Sequence, residues 1–154
     1  MNKLFKDNIL DVNVEVNGET DNYIVTMSFG GFLDLLHEQL EKNNNILDLR
    51  TISRALVSAF NSDNVYIHCS CADWKYRMAY WATVTDINSG EPENIPSDIT
   101  NPNNTKGPGC KHTLLVLSNN TWLIKVSSVI HNYIEYMKKH YERLYADVIY
   151  PAIY

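Results

Sequence analysis

The sequence predicts an α+β fold, and three observations favour that class. Apolar and polar residues alternate on both sides of a short glycine-containing turn near the N-terminus, a pattern typical of a β-hairpin. Farther along the chain, apolar residues recur at spacings of three and four, as amphipathic helices require. The length of 154 residues and the 45% hydrophobic content suit one domain with its own core. We therefore expect a single domain over residues 1–154.

Residues 1–62 are predicted to form an N-terminal hairpin and two helices. Valines alternate with polar residues over 12–16, "NGETDN" follows, and "YIVTMSF" at 23–29 supplies a second strand. Helical spacing of apolar residues then predicts a helix over 31–42 and another over 49–60, separated by "KNNN".

Residues 63–120 are predicted to form the centre of the protein. The alternation over 65–71 indicates a strand, and the apolar spacing over 73–84 indicates a helix. The stretch 86–109 holds all but one of the prolines and half of the glycines, which predicts a long loop. The apolar run in "CKHTLLVLSNN" then predicts a short helix.

Residues 121–150 are predicted to form one long C-terminal helix. Thr121 is a suitable N-cap, and apolar residues follow at helical spacing up to Pro151. The stripe fits a core helix and a contact between subunits equally well. Its members are Val126, Val129, Ile130, Tyr133, Ile134, Met137, Tyr141, Leu144, Tyr145 and Val148.

The three cysteines and one histidine form two short pairs, Cys69-x-Cys71 and Cys110-x-His112. In an extended strand, residues i and i+2 project to the same face, so both thiolates of the first pair can point to one position. A C-x-H pair inside a helix would direct its side chains about 200° apart. The second pair must therefore straddle a helix start, with Cys110 in the preceding turn and His112 in the first helical turn. Together the two pairs predict a tetrahedral metal site.

Three sulfur ligands and one imidazole indicate structural Zn²⁺. Because protein ligands fill all four positions, such a site has no place for water or substrate, and we assign no catalytic residues. The ion would contribute folding free energy, about 10–16 kcal/mol in zinc-finger peptides. It would also fix both ends of the 86–109 loop.

Two other interpretations of these residues remain open. The cysteines and the histidine could be unrelated core residues, or one cysteine could be a redox or nucleophilic thiol with His112 as its base. An odd number of cysteines, three, excludes a complete disulfide framework. His68 points to the opposite side of the predicted strand from Cys69, so we do not expect it to be a ligand.

The net charge of −5 excludes a generally basic nucleic-acid-binding surface and leaves room only for a local one. Lys75, Arg77 and Lys111 lie close in sequence to the ligand pairs and are the candidate binding residues for nucleic acid or a protein partner. DNA binding would require these three, together with Lys106 and Lys125, on one exposed face.

Aromatic residues in the predicted 73–84 helix have two interpretations. Trp74, Tyr80 and Trp81 could stack on nucleic-acid bases. We favour the alternative that they form the core beside the metal site, because aromatics at helical spacing are usually buried.

Membrane and secreted classes are not indicated by the sequence. No apolar run approaches the ~20 residues of a membrane span. The first residues lack the apolar stretch and cleavage site of a secretory signal. We expect an intracellular protein with no membrane partner and no small-molecule substrate.

The two ligand pairs resemble the SWIM-type zinc finger, whose pattern is CxC, a variable gap and CxH, and whose fold is a small β-β-α unit. The resemblance covers about residues 64–120, and all four ligand positions are present. The gap is longer than in most SWIM fingers and contains a predicted helix. The resemblance implies structural zinc within a SWIM-like unit at 63–120, and DNA or protein binding as in transposase-like, recombination-associated and ubiquitin-ligase proteins.

A second resemblance concerns "CSCADWKYRMAYWAT" and "GCKHTLLVLSNNTWLIKV". These stretches are similar to segments of virion-associated proteins from tailed bacteriophages, including crAss-like phages. The resemblance implies a zinc-stabilised structural component of a head–tail or portal-associated assembly. Its partners would be other protein subunits in a homo- or hetero-oligomer, in the host cytoplasm and in the virion. We therefore expect a non-enzymatic structural and protein-interaction module, with a SWIM-type DNA-binding module as the alternative.

Overall fold

The protein has a mixed α+β fold, as the sequence predicts. The structure is a computed structural model that describes residues 3–18, 20–96 and 109–141. Three strands form one antiparallel sheet in the order β1-β2-β3. The strands are β1 (Ile9–Asn17), β2 (Asn22–Gly30) and β3 (Val65–Cys69). The helices are α1 (Lys3–Asp7), α2 (Phe32–Lys42), α3 (Leu49–Phe60), α4 (Ala79–Val84), α5 (Lys111–Ser118) and α6 (Thr121–His140), and a π-helical turn (Trp74–Met78) precedes α4.

The β1–β2 hairpin confirms the predicted alternation of its residues. On one face, polar side chains pair across the strands: Ser28 Oγ donates to Asp11 Oδ1 at 2.6 Å, and Thr26 Oγ1 donates to Asn13 Oδ1 at 2.8 Å. These cross-strand bonds fix the register of the hairpin. The other face is buried and apolar, and its members are Val12, Val16, Val25 and Met27.

The contacts divide the chain into two compact units, each assembled from separate segments. Unit 1 comprises residues 1–10, 29–64 and 121–154. Unit 2 comprises residues 11–28 and 65–120. The division falls within the hairpin, so both of its strands contribute residues to both units.

Unit 1 is held together by helices α2, α3 and α6. The predicted helices over 31–42 and 49–60 are confirmed as α2 and α3. Asp48 caps α3, because its carboxylate accepts a hydrogen bond from the Thr51 backbone N–H at 2.7 Å. Apolar residues from the three helices are buried, and the largest of them are Phe32, Leu36, Leu40, Ile52, Leu56 and Ile134.

Helix α6 confirms the predicted start at Thr121, but its buried face differs from the predicted stripe. Val129 is 67% exposed, whereas Ser127 is buried. Ser127 can be buried because its hydroxyl donates to the Leu123 carbonyl at 2.7 Å and pairs with Ser53 Oγ at 2.9 Å. The part of the predicted helix beyond residue 141 lies outside the described residues.

Unit 2 differs from the prediction just after β3. The strand ends at Cys69 rather than continuing to residue 71. Ser70 keeps one backbone bond to β2, from its N–H to the Ile24 carbonyl at 3.0 Å, but its Oγ accepts the Ile24 backbone N–H at 2.9 Å. Cys71 therefore lies in the turn that precedes the π-helical turn, and it is not a strand residue.

The π-helical turn changes which residues of the predicted 73–84 helix are buried. The sequence predicts Trp81 on the inner face with Trp74, but Trp81 is half-buried and Ala82 is fully buried. A π-helical turn contains one more residue per hydrogen-bonded turn than an α-helix does. The residues that follow are rotated accordingly, so Ala82 takes the inward position.

The beginning of the predicted 86–109 loop is ordered by backbone contacts with β3. Ile67 N–H donates to the Ile87 carbonyl at 2.7 Å, and Ser89 N–H donates to the Ile67 carbonyl at 3.1 Å. Asn88 then closes a turn, since its side-chain amide donates to the Glu91 carbonyl at 3.0 Å. Residues 97–108 of this loop lie outside the described part of the chain. Among the described residues, no helix is sufficiently long and apolar to cross a bilayer.

Candidate metal centre

The first ligand pair lies where β3 meets the π-helical turn. Cys69 is the last residue of β3, and its side chain is on the buried side of the strand. Cys71 follows in the turn, where the Trp74 backbone N–H donates to its Sγ at 3.2 Å. This bond positions the Cys71 sulfur and would stabilise the thiolate that forms when a metal displaces its proton.

The second ligand pair lies at the start of α5, in the arrangement that the spacing predicts. Cys110 is the N-cap residue, with extended backbone angles of φ −82° and ψ 171°, and His112 lies in the first helical turn. Thr113 Oγ1 donates to the Cys110 carbonyl at 2.8 Å, which holds the cap residue against the helix. Gly109 allows this close approach, because a Cβ at that position would lie 2.8 Å from Thr113 Oγ1.

The structure brings all four predicted ligands together in unit 2. The sulfur atoms of Cys69, Cys71 and Cys110 and a ring nitrogen of His112 all lie within 4.8 Å of one another. The four side chains are buried, with residue exposures of 1%, 3%, 1% and 5% in chain order. All three cysteines are free thiols.

The separations of the donor atoms fit one tetrahedral ion. A tetrahedral site with ordinary zinc–ligand bond lengths requires sulfur–sulfur separations of about 3.8 Å and sulfur–nitrogen separations of about 3.6 Å. His112 Nδ1 lies 3.8 Å from Cys69 Sγ and 4.0 Å from Cys110 Sγ. These two separations exceed the ideal sulfur–nitrogen value by a few tenths of an ångström, and all four ligand atoms lie within 4.8 Å of one another. These four residues could hold a metal ion through three sulfurs and His112 Nδ1.

The Tyr23 ring packs against the His112 imidazole. The Tyr23 ring stacks on the imidazole with centroids 4.5 Å apart and an angle of 30° between the planes. Nδ1 faces the sulfurs, and the opposite nitrogen, Nε2, is buried and has no hydrogen-bond partner among residues 3–18, 20–96 and 109–141. His112 therefore presents Nδ1 to the cluster.

The three thiols differ in their acidity. The pKa of the Cys110 thiol is lowered to about 4, chiefly because the Cys69 thiol donates a hydrogen bond to the Cys110 thiolate. The same bond raises the pKa of the Cys69 thiol, and burial raises the pKa of the Cys71 thiol. A cation that binds here must displace protons from Cys69 and Cys71, whereas Cys110 is already a thiolate at neutral pH.

His68 lies outside this group of four ligands. It is half-buried, its ring meets the edge of Trp74 with centroids 5.8 Å apart, and burial lowers its pKa. Gly90 lies directly against it, since a Cβ on Gly90 would be 2.4 Å from His68 Nδ1.

The three candidate cationic residues have different surroundings. Arg77 forms an ion pair with Asp73, one helical turn earlier. The Lys75 ammonium lies 5.3 Å from the centroid of the Tyr76 ring, and Lys111 is exposed at the first position of α5. Of the other two cations proposed for a DNA-binding face, Lys106 lies outside the described residues and Lys125 belongs to unit 1.

Trp74 is part of the core beside the metal centre, as the favoured interpretation expects. Its side chain is fully buried, while Tyr80 and Trp81 are half-buried. The contact between Tyr23 and His112 is not foreseeable from the sequence, because the two residues are far apart in the chain and Tyr23 has the pattern of an ordinary hairpin residue.

Comparisons with protein-family models, with curated proteins and with solved structures found no match to this chain. The SWIM and bacteriophage resemblances therefore stay predictions from the sequence.

Proposed function

We propose that this chain is a zinc-stabilised, non-enzymatic structural module that binds other protein subunits. The observation that carries the proposal is the buried group formed by Cys69, Cys71, Cys110 and His112, whose ligand atoms lie within 4.8 Å of one another.

The donor set favours zinc over other cations. Thiolate ligands are soft and select Zn²⁺, Cu(I) or iron–sulfur clusters, whereas Mg²⁺ and Ca²⁺ require oxygen ligands. One imidazole beside three thiolates is a common ligand set of structural zinc sites. Three thiolates and one dication leave a single net negative charge, which the Trp74 N–H near Cys71 helps to stabilise.

A structural role follows from the number of protein ligands and from their burial. Catalytic zinc sites have three protein ligands and keep a fourth position open for water or substrate. Here four side chains converge, and none is more than 5% exposed. An ion bound by all four would join β3, the turn at Cys71 and the start of α5, which are distant in the sequence, and would stabilise unit 2.

The charge of unit 2 favours a protein partner over nucleic acid. Its segments contain nine Asp and Glu residues and four Lys and Arg residues, so this unit carries the whole formal charge of −5. DNA binding relies on phosphate contacts and normally requires a basic surface. A place in a phage virion is supported by the sequence resemblance alone.

Metal analysis of the purified full chain tests the proposal. We expect one zinc per chain by elemental analysis. Replacement by Co²⁺ should give the intense thiolate-to-cobalt charge-transfer bands and the visible bands of a tetrahedral site. Removal of the metal by a chelator should abolish amide hydrogen-exchange protection in β3 and α5. A chain that folds with full protection and no stoichiometric metal would refute the proposal.

DNA binding is tested in the same preparation by fluorescence anisotropy. We expect no binding of a duplex oligonucleotide at low salt, because unit 2 is acidic. Binding that falls steeply as salt is added would instead support the DNA-binding alternative.

A further inference from the structure

A cavity of about 500 Å³ lies beside the metal centre, entirely within unit 2. One wall is formed by the end of β3 and the π-helical turn, and the other by the turn at residues 90–93. Its volume lies in the range of about 300–1,000 Å³ that is typical of ligand pockets.

Hydrogen bonds hold the second wall in place. Thr83 Oγ1 accepts from the Asn88 side-chain amide and from the Glu93 backbone N–H, both at 3.0 Å. Asn88 Oδ1 accepts from the Gly90 backbone N–H at 3.0 Å. Because a bonded network supports this wall, the cavity is pre-formed and does not depend on the closure of a loose loop.

The chemistry of the lining selects for a cation attached to an apolar stem. The lining includes two acidic residues, Glu91 and Glu93, and two apolar residues, Ala79 and Pro92. Glu93 Oε1 accepts a hydrogen bond from the Ile95 N–H at 2.8 Å, which orients this carboxylate. Lysine and arginine side chains combine a charged end with a methylene stem that packs on apolar surface.

Among the lining residues that the structure describes, Lys75 is the only cation. The Lys75 ammonium lies over the Tyr76 ring at 5.3 Å from its centroid, and Tyr76 is not a lining residue. Cys69 belongs both to the cavity wall and to the metal centre, so the net negative charge of a loaded site adds to that of the glutamates.

We propose that this cavity binds a lysine or arginine side chain from an extended segment of a partner protein. The proposal rests on the proposed function, since it names the chemistry of the partner that the module binds. Charge complementarity supports it at two levels: the two glutamates in the lining, and the formal charge of −5 on the unit that contains the cavity.

The test uses the zinc-loaded full chain and a fluorescent, capped, alanine-based peptide that carries lysine and arginine. The matched peptide has 6-hydroxynorleucine in place of lysine and citrulline in place of arginine, so it differs in charge and scarcely in shape. We expect the basic peptide to bind, the neutral peptide not to bind, and the binding to weaken as the salt concentration rises to about 0.15 M. Amide chemical shifts should change at Gly90, Glu91 and Glu93.

Charge-neutralising variants locate the site. Glu91→Gln and Glu93→Gln keep the side-chain shape, and a glutamine at position 93 can still accept the Ile95 N–H. Each substitution should weaken binding of the peptide about fivefold. Asp86→Asn is the matched control, because it removes one exposed carboxylate of the same unit outside the cavity lining, and it should leave binding unchanged.

The outcomes separate this inference from the proposed function. Equal weakening by all three variants would show a general charge effect and overturn the docking site, as would shift changes confined to residues away from the cavity. Absence of peptide binding in a chain that still holds one zinc would overturn the inference and leave the zinc-stabilised module intact. Absence of zinc would overturn the proposed function itself.

Discussion

Cys110→Ser tests the role of Cys110 as a metal ligand separately from its role at the start of α5. Cys110 is both a predicted ligand and the N-cap residue of α5. Serine is among the best N-cap residues, so the variant keeps a suitable start for the helix. The substitution therefore removes a soft ligand while preserving the backbone arrangement around it.

The expected loss of metal affinity follows from the four-ligand geometry. If an apparent binding free energy of about 10–16 kcal/mol is shared among four ligands, each supplies about 2.5–4 kcal/mol. Because about 1.4 kcal/mol corresponds to a tenfold change, Cys110→Ser should weaken zinc binding by two to three powers of ten. Competition with a chromogenic chelator of known affinity measures this change in the purified chain.

Val116→Ala provides the matched control on the same helix. Val116 is buried, and its truncation should cost about 1–2 kcal/mol of stability by loss of apolar contacts, without removing a ligand. We expect this variant to melt at a lower temperature and to retain one zinc. If Cys110→Ser kept the zinc affinity of the unsubstituted chain, the assignment of Cys110 as a ligand would be wrong.

Three further predictions concern protons, a helix cap and a close contact. Because the pKa values of Cys69 and Cys71 are raised, metal uptake releases two thiol protons. The apparent zinc affinity measured by chelator competition should therefore rise about 100-fold from about pH 7 to 8. A pH-independent affinity would contradict this. Asp48→Ala should lower the free energy of unfolding by about 1 kcal/mol in denaturant titrations. Hydrogen bonds from Thr51 lower the Asp48 pKa in the folded state. The stability that the cap contributes is therefore fully present above the unfolded-state pKa of about 3.9 and is lost as the pH falls through the folded-state pKa. An equal effect of Asp48→Ala at acidic and neutral pH would refute the cap. Gly90→Ala should destabilise by about 1–3 kcal/mol because its Cβ would meet His68, and the cost should shrink in a His68→Ala background; an unchanged cost there would exclude this contact.

The sequence predicts those parts of the fold whose signal is local. The hairpin, α2 and α3 follow from the spacing of apolar residues over a few turns, and their predicted bounds agree with the structure within a residue or a few residues. The metal ligands are predictable for a related reason. The apolar run after His112 predicts a helix, and a C-x-H pair inside a helix cannot converge, so together they restrict the pair to the helix start that the structure shows at Cys110 and His112.

The features that the sequence does not reveal depend on contacts between distant residues. Alternation continues through Cys71, but the strand ends at Cys69, next to the point where the Ser70 side chain accepts the Ile24 backbone N–H. Ser127 replaces an apolar residue on the buried face of α6 because Ser53 pairs with it. Neither partner is adjacent in the chain, so periodicity alone predicts a longer strand and a different stripe.

Helix α1 and the π-helical turn were also not predicted. Helix α1 has five residues with one buried side chain, which is too short to show a helical period. The π-turn inserts an extra residue into a helix whose apolar pattern otherwise predicts a regular helix. The apolar spacing therefore does not predict that Ala82, and not Trp81, is the fully buried residue.

The interruption of unit 2 by residues 29–64 restricts how the metal centre can be transplanted. A fragment confined to 65–120 would carry every ligand yet lack Tyr23, the ring that covers His112. Grafting that fragment into a foreign host would thus leave one side of the imidazole open to solvent. A faithful graft needs the hairpin supplied as well, either on a second peptide or through an engineered linker that replaces the intervening helices.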